Sequence, residues 1–122
     1  MTKSVHNDVL DAALNIVKNN CNLMIACSAA PTTRSEAVTT YALADVAVSS
    51  TDFTVGDGDT NGRKAAVAEK SNVIIDNTGT ATHIALVDGT RLLYVTECTN
   101  QALTSGNTMT FQSWDVEIAD PI

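Results

Sequence analysis

Residues 82–97 read THIALVDGTRLLYVTE, two strand-like runs joined at Asp88-Gly89. Asp-Gly suits a two-residue type I′ turn, because both central positions of that turn need a positive φ. Such a loop sets Val87 opposite Thr90, Leu86 opposite Arg91, Ala85 opposite Leu92, Ile84 opposite Leu93 and His83 opposite Tyr94. Ile84, Leu86, Leu93 and Val95 then share one face, and Ala85, Val87, Leu92 and Tyr94 the other. Both faces are apolar, whereas a sheet with one wet side alternates polar with apolar residues. A central hairpin covered on both sides is therefore expected, the second cover coming from an N-terminal helix, a second sheet or a neighbouring subunit. Aspartate at Leu92 or Leu93 is expected to unfold or misassemble the chain.

Working outward toward the C-terminus, Ser105-Gly106 marks a loop over 104–107. Two further strands are expected, at 108–112, where Met109 and Phe111 share a face, and at 114–118. In the second, Trp114, Val116 and Ile118 alternate against Asp115 and Glu117, as in a strand with one wet side. Toward the N-terminus, 64–69 and 73–76 read as strands, with turn residues Asn77, Thr78 and Gly79 after them and a hairpin join expected there. GDGDTNG (56–62) is a loop. Extended structure is expected over 42–48 and 52–55, one helical turn within 32–41, and a buried strand at 23–27. Residues 7–18 carry the pattern of a helix, with Leu10, Ala13, Leu14 and Val17 at i, i+3, i+4 and i+7. Asn7 or Ser4 can cap it, Asp8 and Asp11 suit the positive end of its dipole, and Lys18 suits the other.

The chain has 122 residues, room for one domain (1–122), expected to bury roughly two-thirds of the surface its unfolded form exposes. Aromatic residues are 4% against 44% hydrophobic, so the core is built from Ala, Val, Leu and Ile. Charged residues are 17%, below the usual quarter, and threonine is frequent, both of which suit strands. The expected fold is mainly β, sandwich or barrel-like, with one N-terminal α-helix packed on the sheet.

A net charge of −7 with basic residues scattered at Lys3, Lys18, Arg34, Arg63, Lys64, Lys70 and Arg91 disfavours nucleic acid and membrane surfaces as partners. The longest uncharged apolar run, 23–27, is far short of a membrane span, and Asp8 and Asp11 interrupt what would be a signal-peptide core. Cys21, Cys27 and Cys98 adjoin apolar runs without a CxxC spacing, so small buried thiols in a reducing compartment outweigh disulfides or ligands.

Asp57, Asp59 and Asn61, with Gly62 following, match the first half of a calcium loop. The second half fails: position twelve is Ala68, Glu69 is one residue late, and no amphipathic helix leads in. An exposed acidic loop is the stronger reading. His83 reads as a structural histidine beside Tyr94, and His6 lies near the terminus. Asp115 and Glu117 read as a solvated strand face rather than an acid–base pair, and no cysteine has surroundings that would lower its pKa. No catalytic, metal or cofactor residue is assigned, and an enzyme is not expected. Trp114 and Tyr94 are core residues first and interface anchors second.

The segments NDVLDAALNIVKNN, CSAAPTT, YALADV, GDGDTNGRK, ATHIALVDGTRLLYVTE, LTSGNT and WDVEIADP together resemble small proteins encoded among the structural genes of tailed bacteriophages, commonly near the major capsid protein. The second half is also similar to β-sandwich modules of phage fibres and capsid-decorating proteins, in which a DG-turn hairpin precedes an SGxT loop and a final strand. The resemblance implies a virion component on the capsid exterior, assembled in the host cytoplasm. Its implied role is a decoration or cement protein that binds the major capsid protein or other virion proteins, as a homo-oligomer. A tail, head–tail or fibre component contacting a receptor or saccharide is the alternative, and a small host-interacting binding protein the third.

Overall fold

A computed structural model describes residues 4–120, so Lys3 and Pro121 lie outside the described residues. In chain order the elements are α1 (Asn7–Asn20), β1 (Leu23–Cys27), a π-helical turn (Glu36–Thr40), β2 (Ala42–Ala47), a 3-10 turn (Ser50–Asp52), β3 (Phe53–Asp57), β4 (Arg63–Val67), β5 (Lys70–Ile74), β6 (Gly79–Val87), β7 (Leu92–Leu103), β8 (Thr108–Phe111) and β9 (Trp114–Ile118). The fold is mainly β, with three antiparallel sheets and one N-terminal helix. The strand orders are β2-β1-β6-β7, β3-β4-β9 and β5-β8.

The hairpin forms between β6 and β7, but not with the turn expected of Asp-Gly. Among the described glycines only Gly62 and Gly106 have positive φ, so Gly89 does not adopt a type I′ conformation. The Asp88 carboxylate organises the turn instead. Its Oδ1 accepts the N–H groups of Thr90 (2.8 Å) and Arg91 (2.5 Å), while Oδ2 accepts from Arg91 Nε (2.6 Å). Asp88 N–H closes the turn on Arg91 O (3.0 Å). This is an Asx-type turn, in which a side-chain oxygen replaces a backbone acceptor. Val87 consequently pairs with Leu92, Leu86 with Tyr94, Ala85 with Val95, Ile84 with Thr96 and His83 with Glu97, leaving Leu93 as an extra residue. The expected register is thus corrected, and the bulge at Leu93 exchanges the faces of the residues beyond it. Tyr94 joins Ile84, Leu86 and Leu93 on the main core, whereas Val95 joins Ala85, Val87 and Leu92 on a smaller one.

Both faces of β6 are covered. One packs into the main core, which gathers Met24, Ala26 and Leu86 from the four-stranded sheet with Phe53, Ala65, Val67 and Val116 from the three-stranded one. The other is covered by Ala37, Val38 and Tyr41, over Ile25, Cys27, Ala85 and Val87. That cover comes from the π-helical turn. Thr33 Oγ1 accepts Glu36 N–H (3.1 Å), Glu36 Oε1 reaches back to Thr32 N–H (2.7 Å), and Tyr41 N–H donates to Glu36 O (2.8 Å), the i→i+5 bond of a π turn. β6 is central, but β7 is the edge strand, and Leu92–Thr96 are only half-buried.

The helix packs on β3 and β4 through buried Leu10, Leu14 and Val17. Ala13 is exposed, because the buried stripe is narrower than the sequence pattern allowed. The cap is His6, whose Nδ1 accepts Asp8 N–H (3.0 Å), rather than Asn7 or Ser4. Lys18 Nζ donates to the carbonyls of Ser50 (2.8 Å) and Phe53 (2.7 Å), tying the last helical turn to the start of β3. The hairpin join expected around Asn77 does not form: β5 pairs with β8, while the N–H groups of Asp76 (2.8 Å) and Asn77 (3.0 Å) both donate to Leu43 O of β2.

Two outcomes follow from this packing. Leu86 is fully buried on the central strand and Leu92 half-buried at the edge. Leu86→Ala is expected to lower stability in urea unfolding by about 2–5 kcal/mol and Leu92→Ala by about 1 kcal/mol; equal losses would place β7 inside the sheet. The Thr90 N–H, with Arg91 beside it, holds the Asp88 carboxyl down at about 2. Because that value is below the unfolded one, the turn's stabilisation is complete above about pH 4 and is lost as the pH falls toward 2. Acid unfolding of Asp88→Asn, which keeps one oxygen acceptor, should have a shallower pH dependence over that window than wild type.

Candidate interaction surface

The calcium-like segment is the tip of the β3–β4 hairpin, where Asp57 pairs with Arg63 across the ladder. Its oxygens are engaged separately. Asp57 Oδ1 meets Arg63 Nη1 (2.7 Å), Asp59 Oδ1 meets Lys64 Nζ (2.6 Å), and Asn61 Oδ1 accepts Asp120 N–H (2.9 Å). Arg63 also holds Asp11 of the helix (2.8 Å), and Lys64 also holds Asp115 of β9 (3.2 Å). The tip therefore latches helix, hairpin and β9 together. Hydrogen bonding from Lys64 holds the Asp59 carboxyl below its ordinary value. Gly62 is required, since its φ is +71° and a Cβ there would run into the Ile118 carbonyl.

The other polar candidates are similarly distributed. Asp115 faces Lys64, whereas Glu117 Oε1 accepts Asp59 N–H (2.8 Å), so the two carboxylates have separate partners. His83 lies opposite Glu97, not Tyr94, and shares a hydrogen bond with Thr82 Oγ1 (2.8 Å). Cys21 and Cys27 are buried, and burial pushes each thiol up to about 11, far from the range of a reactive thiolate. Cys98 is partly buried, and its thiol is raised for the same reason. Among the described residues no group of three or more His, Cys, Asp or Glu side chains is arranged to hold a metal ion, and no helix is long and apolar enough to cross a membrane.

Trp114 and Tyr94 are brought together. Their rings stack at 5.9 Å with an interplanar angle of 29°, and Trp114 Nε1 donates to Met24 Sδ (3.5 Å). Such a pair contributes about 0.5–1.5 kcal/mol beyond the area it buries. Beside it opens a cleft of about 520 Å³ between β7 and the β8–β9 segment. Ala26, Ala81 and Ile84 line it together with Thr96, Gln101 and Gln112. Its size matches a small-ligand or peptide site, and apolar and polar side chains line it in equal number.

The sequence reading missed this cleft. Residues 96–103 carry no turn signal, and nothing in their composition shows that β7 continues past the hairpin to meet Trp114. The one available signal was an aromatic at the start of the last strand.

Comparison of the chain with protein-family models, curated proteins and solved structures finds no match.

Because the tip carboxylates are already held by Arg63 and Lys64, millimolar calcium is expected to give no binding heat in titration calorimetry and no shift in the melting midpoint. A saturable heat would show that the ion displaces those pairs.

Proposed function

We propose that this chain is a structural component of a tailed-bacteriophage virion, a decoration protein that binds the outside of the capsid shell and stabilises it through the major capsid protein. The observation that carries this reading is the long β7 edge beside the cleft: 12 residues that, among the described residues, pair with no strand but β6, with neither Lys nor Pro to blunt it. A protein that works by contact needs a rigid scaffold with an open, addressable surface. The mainly β fold, the latched hairpin tip and the covered central strand provide the scaffold. The net charge of −7 favours a basic counter-surface over nucleic acid. Buried free thiols agree with assembly in a reducing host cytoplasm. Self-association around a capsid symmetry axis would multiply weak single contacts.

One observation favours the alternative of a tail, head–tail or fibre component contacting a receptor or saccharide. The cleft places hydroxyl and amide side chains beside the half-buried Trp114, a lining that suits a sugar as well as a peptide. The third reading, a small host-interacting binding protein, uses the same edge on a different partner.

Quantitative mass spectrometry of purified particles separates the three. A decoration protein is expected on the order of hundreds of copies, in proportion to the capsid subunits, and a tail or fibre component at a few to tens. Absence from washed particles would overturn the virion reading.

A further inference from the structure

Side chains alternate between the two faces of a β-strand, so a strand that turns a face to a cavity lines it with every second residue. The cleft is lined instead by unbroken runs: Thr96 through Thr99 of β7, and every residue from Met109 to Asp115 along β8, the Gln112-Ser113 link and β9. Two of its walls are therefore the edges of β7 and of the β8–β9 segment, and Ala26, Ala81 and Ile84 of the inner strands β1 and β6 form its floor. Among the described residues β7 pairs in a sheet only with β6, β8 only with β5 and β9 only with β4. Among the described residues no turn or loop backbone group bonds to the backbone of residues 93–102 or 108–118. The β6–β7 register also breaks here. Four residue steps on β7, from Glu97 to Gln101, oppose two on β6, from His83 to Ala81, so Cys98, Thr99 and Asn100 have no partner in β6.

We propose that this cleft accepts an extended polypeptide segment of a partner protein, which adds as a strand along the free edge of β7 and against the β8–β9 segment. Unpaired edge amides and carbonyls are the template for strand addition, and side-chain pockets on the edge choose the sequence. Charge narrows the choice of occupant. Glu97 and Asp115 line the cleft and, among the described residues, no basic side chain does. Asp115 is held by Lys64, while exposed Glu97 makes no ion pair among the described residues. The segment that fits has alternating apolar and hydroxyl-bearing residues, with a basic residue against Glu97. A second copy of this chain, itself at −7, is disfavoured. The source of the segment, a neighbouring virion protein, rests on the decoration reading; the edge geometry does not.

The test uses the peptide KTVTVTK, capped at both ends, and a twin N-methylated at alternate residues, which keeps the side chains but removes backbone donors. Trp114 is the chain's single tryptophan and borders the cleft, so its emission reports occupancy. Hydrogen exchange at Cys98, Thr99 and Asn100 reports strand pairing. The unmethylated peptide is expected to shift the emission and slow exchange at those amides, with the twin about tenfold weaker or worse. Glu97→Gln, an exposed change that leaves the fold intact, should weaken the peptide by about threefold at low salt. Equal binding of the two peptides would overturn strand addition, as would a shift with maltoheptaose but not the peptide, or no response at millimolar peptide. These outcomes are independent of copy number in particles, so failure here and failure of the virion reading are told apart.

Discussion

One carboxylate sets the register on which much of the molecule depends. Asp88 gathers the N–H groups of Thr90 and Arg91 and the Arg91 guanidinium into a turn that needs no positive φ at Gly89. The backbone oxygen of the same residue accepts Arg34 Nε (2.7 Å), linking the turn to the segment that covers the second face of β6. Once the turn is closed this way, Leu93 is one residue too many, and the bulge it forms hands Tyr94 to the main core. A period-two strand turns over completely when one residue is inserted. The stack of Tyr94 on Trp114, and through it the meeting of β7 with β9, follows from that single insertion.

The sequence made the scaffold legible wherever periodicity and composition agreed. The helix, β1, the hairpin and the two C-terminal strands lie where their apolar patterns place them, because each pattern has one face or one run to bury. The register was not legible. Asp-Gly has two good solutions, one using the freedom of glycine and one using the oxygen acceptors of aspartate, and the local sequence does not choose between them. The choice depends on Arg91 and Arg34, the latter 54 residues away. The strand neighbours were hidden for a similar reason: β5 pairs with β8 and β4 with β9, long-range contacts that no local signal encodes. The cap on His6 went unseen because histidine is a less common acceptor than the Ser4 and Asn7 on either side of it.

The candidate surface was legible only in part. The GDGDTNG tip was visible as an acidic loop, yet its chemistry is decided by Arg63, Lys64, Asp11 and Asp115, which the fold brings around it. Those pairs turn a ligand-like cluster into a latch. The cleft lies where three strand edges converge, and strand edges leave no signature in composition. On this convergence, with Glu97 at its edge in no ion pair among the described residues, rests the proposed contact with a partner's extended chain.

The register is the claim from which the rest descends, and side-chain nuclear Overhauser effects measure it directly. With Leu93 bulged, cross-peaks are expected between the Tyr94 ring and the Trp114 indole, and between the methyls of Val95 and Ala85. Tyr94 ring contacts to His83 and Ala85, with Val95 beside Thr82 and Ile84, would mean that the unbulged type I′ hairpin is correct and would contradict the account.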